Sequence, residues 1–176
     1  MSRPTFPISL QAGRAATLVG LLRRGVTAAE VSEALWTYGE DRSVVVAESA
    51  LASLRAVADE LYPIFAAETV DAAAAAINDV LARWSGPPRL SDHDGTAWHL
   101  HLDQDDDGPW DAWLATSAAF ALAALVADTG RPPGGICSAR ECDRPYVNSG
   151  AGAPQRFCSP QCATRARVQA HRRRSG

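Results

Sequence analysis

The sequence contains no lysine, so each fixed positive charge among its 176 residues is an arginine. Cysteine is absent from residues 1–136. Residues 1–10 contain two prolines and lack the apolar stretch of about 7–15 residues that a secretory signal needs. No continuous apolar run reaches the roughly 18 residues of a transmembrane helix. We therefore expect a cytoplasmic protein without a membrane span.

The charge is divided unevenly along the chain. Residues 1–130 contain 8 Arg against 18 Asp and Glu, a formal charge of −10. Residues 131–176 contain 9 Arg against 2 acidic residues, a formal charge of +7. The length suits one ordinary domain plus a small module. An acidic body beside a basic module is the division expected where only the module meets nucleic acid.

The acidic body is predicted to be helical. Apolar side chains recur every three or four residues over five segments, which favours amphipathic helices. Thr27 and Glu30 have the spacing of a capping box, in which both side chains satisfy free N–H groups at a helix start. Pro109 and Gly130 are placed to begin and end the last helix of the body. The predicted helices span residues 11–24, 28–38, 44–67, 70–84 and 109–128.

Between the last two of these helices the periodicity changes. Apolar residues and histidines alternate over residues 98–102, which predicts a strand with its apolar side buried. A segment near Leu90 is expected to pair with it across a turn at Asp94-Gly95. The predicted fold class is therefore mainly α with a small β-hairpin, followed by the module that contains the cysteines.

All four cysteines lie in that module. They form two pairs, Cys137 with Cys142 and Cys158 with Cys162, with four and three residues between their members. Fifteen residues separate the pairs, a pattern typical of a structural tetrahedral zinc site. The alternatives are two disulfides, which are rare in the cytoplasm, or four unrelated buried cysteines. Four thiolates leave no open position for a catalytic water, so the predicted cofactor is one structural Zn²⁺.

The sequence around the second pair predicts a helix start. Ser159 and Pro160 suit the N-cap and the first helical position, so Cys158 would precede the helix and Cys162 would lie in its first turn. Residues 146–148 and 155–157 are predicted to be the two strands of a hairpin. A knuckle, a hairpin and a helix with ligands at both ends predict a treble-clef zinc finger.

Four stretches of the module resemble the CGNR zinc-finger family. They are the first cysteine pair, residues 146–149 (YVNS), residues 156–159 (RFCS) and residues 162–165 (CATR). In the last stretch Ala163 and Thr164 replace the glycine and asparagine of the family signature. The resemblance implies zinc binding and DNA binding in bacterial transcription control.

Upstream, the order of elements resembles the helical ABATE domain that accompanies this finger in stress-response transcription regulators. The strand at 98–102 and the alanine-rich helix from Trp113 to Val126 carry the comparison. The predicted organisation is an ABATE-like domain over residues 1–130, a Pro- and Gly-rich linker over 131–135, and the zinc finger with a basic C-terminal helix over 136–176.

The arginines that follow Cys162 predict contacts with a nucleic-acid backbone. They are spread around the predicted helix, which suits phosphate binding better than base reading. The alternative is a solvated basic tail. A fifth-ligand role for His171 is disfavoured because the zinc site is already full. The predicted DNA-binding residues are Arg156, Arg165, Arg167, His171, Arg172, Arg173 and Arg174.

Other functions remain open from the sequence. The module could dock on an acidic protein, and the acidic body itself could be that partner. A homodimer is plausible, as is a small-molecule effector in a tryptophan-lined cavity. His99, His101 and Asp103 could hold a catalytic metal, and residues 103–107 open like a calcium loop whose twelfth position is Leu114 rather than glutamate. We interpret these as surface histidines and an acidic loop, and predict no enzymatic activity.

Overall fold

A computed structural model describes residues 7–92, 98–102, 108–148 and 155–174. Within these ranges the chain is mainly helical, and the predicted fold class, a helical body followed by a treble-clef-like zinc finger, is confirmed. The helices are α1 (Ile8–Leu22), α2 (Ala28–Thr37), α3 (Leu51–Ala66), α4 (Val70–Trp84), α5 (Trp110–Thr129) and α6 (Pro160–Arg174). The strands are β1 (Arg89–Ser91), β2 (His99–His101), β3 (Gly134–Ile136) and β4 (Pro145–Val147).

Local capping signals set several of the helix ends. The Glu30 amide donates to Thr27 Oγ1 at 3.4 Å and the Thr27 amide donates to Glu30 Oε2 at 2.9 Å, which confirms the capping box of α2. Thr69 caps α4 by accepting from the Ala72 amide at 3.2 Å. Gly130 ends α5 in the left-handed conformation, at φ 62°.

The predicted helix over 44–67 begins too early. A 3₁₀ turn (Glu48–Ala50) precedes α3, and the residues before that turn are not helical. The Val46 amide donates to Ser32 Oγ at 2.9 Å, and Trp36 Nε1 donates to the Val44 carbonyl at 2.8 Å. These tertiary hydrogen bonds fasten residues 44–46 to α2, so the apolar pattern there reflects burial rather than helix.

The core of the body lies around α5, which packs against α1, α3 and α4. Buried residues such as Leu114, Ala118 and Leu122 lie along its length. By length and composition alone α5 is apolar enough to cross a membrane, and the expectation of no membrane span stays a prediction. A helix enclosed by three others is apolar on most sides, and this packing accounts for its composition.

Strands β1 and β2 form the predicted antiparallel pair, with Leu90 opposite Leu100. The expected burial of its apolar side is wrong, because Leu90, Trp98 and Leu100 are 65%, 66% and 41% exposed. Alternation of apolar residues sets which side chains share a face, but burial requires another element to cover that face. The predicted turn at Asp94-Gly95 lies outside the described residues.

Strand β4 pairs with β3, so the predicted hairpin between residues 146–148 and 155–157 is wrong. The true partner strand includes Gly134 and Gly135, which the sequence analysis assigned to a linker. A Cβ at Gly134 would overlap the Tyr146 carbonyl oxygen, and one at Gly135 would overlap the Tyr146 phenol. Only glycine leaves room for β3 to approach Tyr146 this closely. From composition alone, the same two glycines indicate a linker.

The β3–β4 hairpin also lies against the body. It contacts α1 and α3, and its residues Ile136 and Val147 pack against the main hydrophobic core. The domain boundaries remain a prediction, but the first part of the zinc module shares its apolar contacts with the helices.

Candidate zinc centre

The four cysteines converge at the end of the hairpin and the start of α6. The Sγ atoms of Cys142, Cys158 and Cys162 are separated by 3.8, 3.7 and 3.8 Å, and all four sulfurs lie within 4.8 Å of one another. A zinc–sulfur distance of about 2.3 Å in a tetrahedron requires sulfurs about 3.8 Å apart. The donor set therefore fits one structural Zn²⁺, as the sequence predicts.

The first pair of cysteines is held by a tight turn that begins after β3. The Cys137 amide donates to the Arg144 carbonyl at 3.0 Å, and the Cys142 amide donates to the Ala139 carbonyl at 3.0 Å. Glu141 has a φ of 62°, a left-handed conformation uncommon for a residue other than glycine. This turn brings Cys137 and Cys142 to the same side of the loop, as a zinc knuckle requires.

The second pair is positioned by the start of α6. The Cys162 amide donates to Ser159 Oγ at 3.2 Å, and Pro160 is the first helical residue. The predicted N-cap and helix start are therefore confirmed. Cys162 is fully buried in the first turn, where the free amides and the helix dipole favour a thiolate.

Two guanidinium groups contact the sulfur of Cys162. Arg144 Nη2 donates to it from 3.6 Å and Arg165 Nη2 from 3.1 Å. Hydrogen bonds with Ser159 and with these two arginines lower the pKa of Cys162 to about 6. Hydrogen bonds with Cys142 and Cys162 in turn raise the pKa of Arg144. These contacts therefore favour the thiolate form of Cys162, although its burial opposes ionisation.

The pKa values of Cys158 and Cys142 are shifted by other causes. Burial and the hydrogen bond with Cys162 raise the pKa of Cys158 to about 12. Burial opposes ionisation of Cys142 too, but hydrogen bonds from the backbone and side chain of Arg144 lower its pKa on balance. Four neighbouring thiolates repel one another unless a cation is bound between them. Metal binding must therefore release the protons that the cysteines still carry.

Arg144 is the site residue that sequence reasoning missed. Zinc ligands need hydrogen-bond donors around them, so an arginine near the knuckle could have been expected. Arg140 and Arg144, however, each lie two residues from Cys142. Arg140 is exposed and faces Glu141 at 3.6 Å, and only the folded chain distinguishes the two arginines.

The residues predicted to contact DNA do not share one environment. Arg165 and Arg167 are both exposed, but Arg165 donates to Cys162 Sγ, whereas Arg167 donates to Thr164 Oγ1 at 3.3 Å. Arg156 is exposed beside the zinc site, with its guanidinium 5.7 Å from the centre of the Phe157 ring. His171, Arg172 and Arg173 are exposed on α6, and Arg174 ends that helix.

The other metal candidates gain no support. His101 lies in β2 opposite Arg89, whereas Asp103 and the predicted acidic loop lie outside the described residues. In the part of the chain that the structure describes, the cysteine cluster is the one group of three or more His, Cys, Asp or Glu residues placed to share a metal. The absence of enzymatic activity remains a prediction.

Trp110 and Trp113, two of the tryptophans that could line an effector site, lie at the start of α5. The rings of Trp110 and Trp113 meet edge to face at 5.3 Å, and the Arg14 guanidinium lies 4.7 Å from the centre of the Trp113 ring. Arg14 also pairs with Glu40 at 2.6 Å. These contacts describe a packed cluster, and the effector remains a prediction.

Comparison with known proteins agrees with the zinc site. The family model described as CGNR zinc finger matches residues 135–175, a segment that contains all four cysteines and α6. No curated protein matches the chain. The ABATE-like resemblance of the body therefore remains a prediction. Zinc binding through a CGNR-type finger is supported twice, by the family match and by the arrangement of the four sulfurs.

Proposed function

We propose that this protein is a DNA-binding transcription regulator of bacterial type, in which the zinc site presents α6 to the DNA backbone. The observation that carries the proposal is the set of exposed arginines on α6. Among the described residues no acidic side chain pairs with Arg167, Arg172 or Arg173. Unpaired guanidinium groups on a helix are suited to bind phosphates.

The distribution of charge around α6 favours backbone contact. At 3.6 residues per turn, Arg167 and Arg174 fall on one face, Arg172 on the opposite face, and Arg173 between them. A helix that reads bases would present one polar face to the groove, whereas positive charge on several faces reaches phosphates on both sides. The proposed binding is therefore led by electrostatics.

The placement of α6 also supports this proposal. Its first turn is fixed by Cys162, but within the described chain α6 has no substantial packing against another helix or strand. Most of its surface is thus available to a ligand. A single small module binds DNA weakly, so the body would contribute by dimerising or by sensing an effector.

The rival proposal is that α6 docks on an acidic protein. Val168, 45% exposed among the arginines, gives the helix an apolar contact point that a protein surface would use. The acidic body is a less suitable occupant, because α6 does not pack on it in the described structure.

Fluorescence anisotropy of the zinc-loaded protein on mixed-sequence duplex DNA, across a salt series, tests the proposal. We expect binding that weakens steeply with salt, by a slope of about 0.9 per phosphate contact. Changing Arg172, Arg173 and Arg174 to alanine should abolish it. The matched control changes Arg24, Arg42 and Arg83 of the body to alanine, with the same loss of charge, and should bind normally.

The rival proposal predicts a different pattern in the same assay. A helix made for an acidic protein surface would bind labelled polyglutamate and leave duplex DNA unbound at low salt. Equal losses of DNA binding in the α6 and body variants would show that net charge alone is responsible, and would contradict the proposal.

A further inference from the structure

We infer that Arg144 and Arg165 are positioning residues of the zinc site, which neutralise its thiolates and hold α6 against the knuckle. Both guanidinium groups donate to Cys162 Sγ, at 3.6 and 3.1 Å. They come from opposite parts of the module, since Arg144 precedes β4 and Arg165 lies one turn after Cys162 in α6. One sulfur thus links the knuckle, the hairpin and the helix.

The charge of the site explains the need for two arginines. Four thiolates with one Zn²⁺ carry a net charge of −2, and Cys162 is fully buried. Buried charge is costly unless it is paired and hydrogen-bonded. Arg144 and Arg165 together supply two positive charges and two N–H donors, which balance the charge that the metal leaves on the sulfurs.

Arg144 also connects the zinc site to the body. A Cβ placed on Gly20 of α1 would lie 3.3 Å from Pro145 Cδ and 3.7 Å from Arg144 Cγ, so α1 and this segment are in close contact. Nearby, Tyr62 Oη of α3 donates to the Asp143 carbonyl at 3.1 Å. The stem of Arg144 therefore rests on the body while its guanidinium group binds the sulfur.

Arg165 has a role distinct from that of the other α6 arginines. Arg167, two residues later, contacts Thr164 rather than sulfur. We therefore assign Arg165 to the metal site, while its predicted contact with DNA stays a prediction. This inference rests on the zinc site and does not depend on the proposed DNA binding.

The experiment compares glutamine variants of the full chain with two matched controls. Arg144→Gln and Arg165→Gln each remove a donor to sulfur, whereas Arg140→Gln and Arg167→Gln remove a neighbouring arginine that does not contact sulfur. The zinc dissociation constant is measured by competition with a chromophoric chelator. We expect Arg144→Gln and Arg165→Gln to weaken zinc binding about 10–100-fold, the usual effect of losing a partner of a metal ligand. The controls should change it less than about threefold.

A second measurement separates this role from simple packing. Co²⁺ in place of Zn²⁺ produces a thiolate-to-metal charge-transfer band, whose energy should shift when a donor to Cys162 is removed. Lysine at either position keeps one charged donor without the planar fork, so Arg144→Lys and Arg165→Lys should recover part of the affinity. These lysine variants also report on the site if a glutamine variant fails to fold, which circular dichroism would reveal.

Two outcomes would overturn the inference. One is zinc affinity and cobalt spectra that are the same in Arg144→Gln, Arg165→Gln and the controls. The other is weaker zinc binding in all four variants alike, since that would show an effect of net charge rather than of contact with Cys162.

Discussion

The body and the zinc module are stabilised by different interactions. The body encloses the apolar helix α5 among α1, α3 and α4, so its stability comes from burial. Among the residues that the structure describes, the module has a second core whose buried members are Cys137, Ala139 and Cys162, with Cys142, Phe157 and Cys158 packed beside them. So small an apolar core does not stabilise a folded module by itself. Metal binding supplies the stabilising free energy that burial of apolar side chains supplies in the body.

The two regions are nevertheless not independent, because the β3–β4 hairpin belongs to both. Its side chains Ile136 and Val147 join the core of the body, while the chain after β3 enters the knuckle at Cys137. Dependence on zinc should therefore spare β3 and β4, which pack on the body, and should include the knuckle (residues 137–142) and α6.

The largest expected effect is that of removing the zinc. Structural zinc contributes an apparent 10–16 kcal/mol, roughly, in zinc-finger peptides. Cys142→Ser should lose stoichiometric zinc and the hydrogen-exchange protection of residues 137–142 and of α6, since these segments have little apolar core of their own. Protection in α1–α5 should persist because their core is apolar. Hydrogen exchange followed by mass spectrometry, with metal analysis, measures both regions.

Retention of one zinc per chain and native protection in Cys142→Ser would show that this thiol is not a required ligand. Loss of protection throughout α1–α5 would instead show that the body depends on the metal, and the contrast between the two regions would fail. Cys142→Ala provides a check, because it removes the ligand without leaving a hydroxyl group.

The second largest effect should come from a cavity in the body. Leu122 is fully buried in α5, so Leu122→Ala should lower the free energy of unfolding by about 2–5 kcal/mol. Leu90→Ala is the matched control, because Leu90 is 65% exposed and should change stability by less than about 0.5 kcal/mol. Urea unfolding followed by tryptophan fluorescence measures the loss.

Zinc content should remain at one per chain in native Leu122→Ala, because the thiols lie in the other core. A similar loss of stability in Leu90→Ala would contradict the exposed position of Leu90. A loss of zinc from folded Leu122→Ala would show that the hairpin transmits strain from the core to the knuckle.

Sequence reasoning succeeded where a local signal determines the structure. The capping box at Thr27 and the Ser159-Pro160 start of α6 satisfy helix amides within one turn, so adjacent residues are enough to predict them. The four zinc ligands were predictable because two close pairs of thiols have few other uses. In these cases the residues that contact one another are also close in sequence or share distinctive chemistry.

It failed where a distant partner decides the structure. Residues 44–46 are kept out of helix by bonds to α2, and β4 pairs with glycines that resemble a linker. Arg144 and Arg140 are equally near Cys142 in sequence, but only Arg144 contacts the sulfur, in a segment that packs on α1 and is bonded to Tyr62. These features depend on tertiary packing, which short sequence patterns do not encode.

The next largest effect should come from the contact between the body and the zinc module. Gly20 of α1 faces Pro145, and even a Cβ there would lie 3.3 Å from Pro145 Cδ. Gly20→Val should push the hairpin from α1 and cost about 1–3 kcal/mol, because added methyl groups overfill a packed site. Gly13→Val is the control in the same helix, since its nearest neighbours lie 3.7 Å away on the Tyr38 side chain.

Chemical denaturation gives the stability of both valine variants, and chelator competition gives their rate of zinc release. Faster zinc release in Gly20→Val than in Gly13→Val is expected, because the Arg144 segment moves with the hairpin. Equal rates would mean that the zinc site tolerates displacement from α1.

The smallest expected effect isolates one hydrogen bond across the same contact. Tyr62→Phe removes the donor to the Asp143 carbonyl but keeps the aromatic ring, which lies 3.8 Å from the Arg23 guanidinium carbon. The cost should be about 0.5–1.5 kcal/mol, because water can replace the hydroxyl group at this exposed carbonyl. Exchange rates of the knuckle amides are the sensitive measurement. If Tyr62→Phe were more disruptive than Gly20→Val, the hydroxyl group rather than the packed hairpin would hold the module to the body.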